Sequence, residues 1–179
     1  ATLAAVTTAA ARWSDLDCSH FAVGIDTSRI PENLGYRRDY EHYVSFGDPA
    51  DRLGAGTLSA SMVLAENQPH VTLDGERYYP IYDADVITND GVDWVGLAEF
   101  DPDDCANRYV LEGVLTHELG HLAGLQNVSE ARESHWDPVL TDATMYWETD
   151  PCDASKVTLE ADDLAGLDAL YGKAPRVTC

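Results

Sequence analysis

Apolar residues recur along this chain in several rhythms, and each rhythm predicts a different kind of element. Leu3, Val6, Ala10 and Trp13 return every three or four positions, which predicts an amphipathic helix over about residues 2–13. Phe21, Val23 and Ile25 alternate with Ala22 and Gly24, the period of a short strand. From Asp26 to Ala55 the pattern dissolves into polar residues interrupted by Pro31, Gly35, Gly47 and Pro49, and loops are expected there. Alternation resumes over residues 57–64, a strand. Asp74-Gly75 signals a hairpin turn, and residues 78–82 and 84–88 read as one interrupted strand or two. Residues 94–100 form a further short apolar run with strand character.

Val110, Leu111, Val114, Leu115, Leu119 and Leu122 then give a broad apolar stripe, the mark of a buried helix. Asp101-Pro102-Asp103-Asp104 is expected to open this helix, since carboxylates suit its free amides and positive end, and Gly124 to close it. A long polar segment follows over residues 126–142. Leu164, Leu167, Leu170 and Tyr171 predict the buried face of a last helix, with Glu160 at its N-cap, Asp163 three residues on and Gly172 as its stop. No repeat or internal boundary interrupts the pattern, and 179 residues suit one domain, taken as 1–179.

Charge narrows the partners. Acidic residues outnumber basic ones 32 to 11, a formal net charge of -21, which disfavours nucleic acid and anionic membranes and favours cations. No apolar run approaches the ~20 residues of a membrane span. Ala1 to Val6 lacks a basic n-region and reads as helix rather than as a leader. The four cysteines, Cys18, Cys105, Cys152 and Cys179, form no C-x-x-C pair; an even, scattered set fits two disulfides in an exported protein.

The chemistry concentrates on the central helix. His117-Glu118-Leu119-Gly120-His121 is an H-E-x-x-H motif, whose histidines stand one turn apart on one face. Two neutral imidazoles at that spacing share one zinc ion, and Glu118 is placed to act as general base toward a zinc-bound water. The third ligand is open. Asn127 stands where the longer form of the motif has histidine, and offers a neutral amide oxygen; His135 in the polar segment is the alternative, with Asp137, Glu130, Glu133 or water as others. His20, His42 and His70 read as structural or surface residues.

Three landmarks in order resemble the metzincin clan of zinc endopeptidases, and within it the minimal bacterial, matrixin-like (matrix metalloproteinase-like) catalytic domain. They are His117-Glu118-Leu119-Gly120-His121-Leu122-Ala123-Gly124, the Met-turn-like Ala143-Thr144-Met145-Tyr146, and the closing-helix sequence from Asp162 to Gly172. Asp83-Ala84-Asp85-Val86-Ile87 is a weaker echo. The resemblance implies an α+β zincin fold: a twisted mixed sheet, an active-site helix, a Met-turn and a C-terminal helix. It implies one catalytic zinc, Met145 beneath the metal, and substrate bound as an extended strand along Val95, Gly96, Leu97 and Ala98. Tyr146 and Trp147 would wall a pocket. Cys105 precedes the central helix and Cys152 follows the Met-turn, so a Cys105–Cys152 bridge is favoured, leaving Cys18–Cys179. Calcium at Asp101-Pro102-Asp103-Asp104 is a further expectation, unsupported by EF-hand spacing. The functional expectation is a secreted, monomeric zinc endopeptidase acting on peptides or proteins. Its competitors are a catalytically silent zincin-fold binding module, in which Asn127 marks a degraded metal site, and a metal-dependent hydrolase of other substrates.

Overall fold

A computed structural model describes residues 2–14, 16, 19–28, 35–71, 75–128 and 138–172. In chain order its elements are α1 (Thr2–Ser14), β1 (Val44–Phe46), β2 (Ser59–Ala65), β3 (His70–Val71), β4 (Arg77–Tyr78), β5 (Ile81–Thr88), β6 (Trp94–Val95), β7 (Tyr109–Val110), α2 (Leu111–Leu122), α3 (Pro138–Thr141) and α4 (Ala161–Tyr171). Single 3-10 turns occupy Leu97–Glu99 and Ser155–Val157. The chain divides into two compact units, one of Ala1–Ile30 with Gly91–Cys179 and one of Pro31–Asp90.

The first unit is built on α2. Leu111 to Thr116 are buried on every side of the helix, as are Glu118, Leu119 and Gly120, leaving His117, His121 and Leu122 as its partly open positions. Against it α1 lays Ala5, Val6, Ala9, Ala10 and Trp13. The indole of Trp13 is fully buried and donates Nε1–H to the carbonyl of Thr116 at 2.8 Å, so its large apolar body is covered without orphaning its donor. β6 pairs in parallel with β7, and β7 runs straight into α2. A smaller apolar cluster joins Val95, Val110 and Val157 with Leu97, Phe100 and Ala154. Cys105 and Cys152 are joined by a disulfide with Cα atoms 5.5 Å apart. Cys18 and Cys179 lie outside the described residues.

The second unit centres on β5, which pairs in parallel with β1 and antiparallel with β2, a mixed three-stranded sheet. β3 and β4 form a separate antiparallel hairpin. Asp83 and Asp85 of β5 are buried. Asp83 accepts the N–H groups of Asp39 and Tyr40, and Asp85 those of Arg37 and Tyr43, at 2.7–3.1 Å. Burial raises the Asp85 carboxyl above the ordinary aspartate range, against the pull of those N–H donors.

Several sequence expectations need correction. Residues 21–25 form no strand: their exposure alternates as expected, but the backbone of Val23 bonds the Ser14 hydroxyl instead of a neighbouring strand. The stretch from Asp26 to Ala55, expected as loops, contains β1, and the chain just before it is tethered through main-chain N–H groups to the buried aspartates of β5. The run over residues 94–100 is strand only at Trp94–Val95, because the next residues close a 3-10 turn through Glu99 N–H to Gly96 O and Phe100 N–H to Leu97 O. The central helix starts at Leu111. Asp101 and Asp104 close a turn of their own, and Ala106 and Asn107 adopt φ of 55° and 63°, which no α-helix accommodates. In α4 the fully buried residues are Leu167 and Asp163, whereas Leu170 is 50% exposed.

Replacing both Cys105 and Cys152 by serine is expected to cost about 2–4 kcal/mol of unfolding free energy, read by urea denaturation, because the bridge closes a long loop in the unfolded chain.

Candidate active site

On α2 the rings of His117 and His121 face each other at 4.9 Å between centroids and 90° between planes. Each Nδ1 meets a main-chain carbonyl, His117 that of Thr144 at 2.8 Å and His121 that of Leu125 at 2.9 Å. A carbonyl only accepts, so each Nδ1 carries a proton, and in the neutral form of such a ring it is Nε2 that holds the lone pair. Gly124 makes the second bond available. Its φ of +95° reverses the chain after α2, with Gly124 N–H on His121 O and Leu125 N–H on Gly120 O, and so returns the Leu125 carbonyl to the helix. Burial, chiefly, lowers the pKa of His117 to about 4; the charges of His121 and Lys156 add to this and the Thr144 carbonyl opposes it. Its imidazole is neutral at physiological pH. Glu118 is buried between the two histidines in sequence.

The turn through Thr144 and Met145 is held from two sides. Asp163, buried in the first turn of α4, accepts Thr144 N–H at 2.8 Å, Met145 N–H at 2.9 Å and Glu160 N–H at 2.8 Å. Lys156, also buried, donates to Ala143 O at 2.6 Å and Thr141 O at 3.1 Å. Burial lowers the Lys156 pKa, while the charges of Asp153, Asp163 and Asp142 raise it. Met145 is 1% exposed and lies against Gly120, where a Cβ would overlap its Sδ and stand 2.8 Å from Cζ2 of Trp13.

Asn127 lies between two tethered residues. Leu125 holds His121, and Val128 donates its N–H to Met145 O at 2.9 Å and bridges to Tyr146. The Oδ1 of Asn127 is buried with no hydrogen-bond partner, a state shared by Asp83 Oδ1 in the other unit. An orphaned amide oxygen six residues beyond His121 in the chain, together with two imidazoles whose Nδ1 atoms are committed to carbonyls, is a donor set whose chemistry fits zinc. Among the described residues no three His, Cys, Asp or Glu side chains converge on a metal position. The fit therefore depends on the amide. His135, Glu130, Glu133 and Asp137 lie outside the described residues.

Of the remaining histidines, His42 accepts the Ala84 N–H of β5 at 2.9 Å, His70 pairs with Glu66 at the surface, and His20 is exposed. Within the segment of Val95, Gly96, Leu97 and Ala98, the N–H of Leu97 is engaged by Glu112 at 2.8 Å. Asp101 accepts Asp103 N–H within its own turn. Trp147 is 45% exposed beside Tyr146, their rings 6.1 Å apart. Sequence reading missed Lys156 and Glu112, which carried no pattern signal, and saw in Asp163 a helix cap and a part of the closing-helix sequence, without its bonds to the turn.

A mixed sheet, a helix bearing paired histidines, a turn bearing a methionine and a closing helix, in that chain order, make up the metzincin fold. The chain belongs to the matrixin family, whose model matches residues 3–172. It is similar to Metalloendoproteinase 4-MMP of Arabidopsis thaliana (35% identical over 80 residues, 45% of this chain and 20% of that protein). Metalloendoproteinase 1 of Glycine max is 34% identical over 82 residues, 46% of this chain and 23% of that protein. Metalloendoproteinase 2-MMP of Arabidopsis thaliana is 27% identical over 165 residues, 92% of this chain and 35% of that protein. The matched parts thus span only 20% to 35% of these relatives. Among the described residues no helix is long and apolar enough to cross a membrane.

Gly120→Ala is expected to destabilise the protein by about 1–3 kcal/mol, since the added methyl overlaps Met145 and Trp13 in a packed core; chemical denaturation reads the loss.

Proposed function

We propose that this chain is a zinc-dependent endopeptidase, exported from the cell, in which residues 1–179 act as one catalytic domain. The observation that carries the reading is the pair of imidazoles on α2 whose Nδ1 atoms are both committed to carbonyls, with the orphaned Oδ1 of Asn127 close by in the chain. His117, His121 and Asn127 are the proposed metal ligands. A family match that spans both compact units supports the single domain, and the Cys105–Cys152 bridge supports export.

Zinc in this position supplies a Lewis acid that polarises a scissile carbonyl and makes water nucleophilic near pH 7. The remaining work belongs to the chain. Glu118 takes the proton of the attacking water and passes it to the leaving amine. Its burial keeps that proton from bulk water. Asn127 contributes a neutral oxygen, a weaker donor than imidazole, so metal affinity is lower while the electrophilicity of the metal is preserved. Met145 forms the floor of the site. Tyr146 and Trp147 wall the substrate pocket. Val95, Gly96, Leu97 and Ala98 flank the extended peptide, without the amide of Leu97. Asn127 also favours a second reading, a silent binding module of the same fold whose metal site has decayed.

Metal content measured beside casein cleavage, with and without a chelator, separates the two. The enzyme predicts about one zinc per chain, as expected of a single catalytic site, and cleavage lost on chelation. A metal-free, inert protein under saturating zinc contradicts it. Glu118→Gln is expected to keep zinc and lose kcat by about 10²–10⁴-fold. In Asn127→Ala, zinc affinity measured by chelator competition is expected to fall at least about tenfold, as much as loss of an outer-shell partner costs.

A further inference from the structure

Lys156 is 3% exposed in a chain where 32 acidic residues face 11 basic ones. With that surplus of carboxylates, its Nζ is nonetheless turned to two main-chain carbonyls, Ala143 at 2.6 Å and Thr141 at 3.1 Å, and to the face of Tyr146, 4.9 Å from the ring centroid. These contacts satisfy an ammonium group through lone pairs and a π-cloud. Gly113 of α2 makes room for it: a Cβ there would stand 3.2 Å from the Cβ of Lys156.

The consequence lies one peptide further on. The unit between Ala143 and Thr144 is gripped at both ends, its C=O by Lys156 at 2.6 Å and by the N–H of Tyr146 at 3.1 Å, its N–H by Asp163 Oδ2. The next unit is gripped likewise, its N–H by Asp163 Oδ1 and its C=O by Nδ1 of His117. Peptide units are rigid planes, so fixing the first sets the axis about which the second turns, and with it the direction of the Thr144 carbonyl.

We propose that Lys156 is a positioning residue for the metal site: by holding the Ala143 carbonyl it aims the Thr144 carbonyl at His117 and keeps that imidazole in the tautomer whose Nε2 faces the metal. The proposal rests on the zinc reading above. A lysine that merely fills space would affect stability alone. A lysine that positions His117 also sets its tautomer and its metal affinity, because the partner of a ligating imidazole orients the ring and raises its basicity.

The test compares the wild type with Lys156→Met, which keeps the stem and removes the donor, and Lys156→Gln, which keeps an amide donor without the charge. In the zinc-free protein at neutral pH, long-range nitrogen–proton NMR reads which ring nitrogen of His117 carries the proton. The expected result is the Nδ1–H form in the wild type and a mixture of both forms in Lys156→Met. Affinity for Zn²⁺ alone, by competition with a chromophoric chelator, is expected to fall about 10–100-fold in Lys156→Met, with Lys156→Gln between. An unchanged tautomer or an unchanged zinc affinity in Lys156→Met overturns the proposal. Should that variant not fold, Lys156→Gln is read by the same two criteria and decides. A wild type that binds no zinc sinks the zinc reading and the proposal with it, whereas a wild type that binds zinc no tighter than Lys156→Met sinks the proposal alone.

Discussion

The hydrogen bond from His117 Nδ1 to the carbonyl of Thr144 joins two parts of the chain 27 residues apart, and the first unit is arranged to keep it at 2.8 Å. Its donor sits on a helix that is buried nearly all round, so the ring has little freedom to search for other partners. Its acceptor sits in a turn that has no strand or helix of its own to stabilise it. Beyond its own bond from Tyr146 N–H to Ala143 O, the turn depends on groups brought from elsewhere. Asp163 of α4 takes two successive N–H groups of the turn, and Thr144 Oγ1 donates to Thr158 O at 2.7 Å. Gly120 lets Met145 lie flush against α2. Loss of any one of these would leave a buried polar group unmatched or a methyl group without room.

The same bond sets the electrical state of the site. A carbonyl facing Nδ1 fixes the proton there, and burial keeps the ring uncharged. The Leu125 carbonyl likewise faces Nδ1 of His121, through a chain reversal that only Gly124 makes easy. Two imidazoles one helical turn apart with each Nδ1 on a carbonyl, in a protein of net charge -21, suit a dication far better than any anion. Asn127, the proposed third ligand, would add an oxygen without adding charge, from a position bracketed by Leu125 and Val128.

Much of this was legible in the sequence, for identifiable reasons. The apolar stripe of α2 and the four-residue spacing of His117 and His121 are local patterns, and local patterns survive folding. Glu160, Asp163 and Gly172 likewise marked the ends of α4. What escaped depended on contacts between distant residues. A lone lysine in a polar loop reads as solvated, and only the folded turn shows that Lys156 is enclosed by carbonyls. Asp163 read as a cap because the cap lies within its own helix, whereas its bonds to Thr144 and Met145 cross 18 residues or more. The alternation over residues 21–25 was real as burial, yet it gave no strand, because Ser14 took the hydrogen bonds that a neighbouring strand would have made. The early start assigned to the central helix failed where Ala106 and Asn107 turn left-handed, a conformation with no hydrophobic signature.

X-ray absorption of the zinc-loaded protein tests the centre most directly. Two imidazoles on α2 and an amide oxygen from Asn127 predict a shell of nitrogen and oxygen donors at about 2.0–2.2 Å, with scattering from two imidazole rings and no sulfur. Scattering from three imidazoles would show that a further histidine, not an amide alone, completes the pair on α2, contradicting the account.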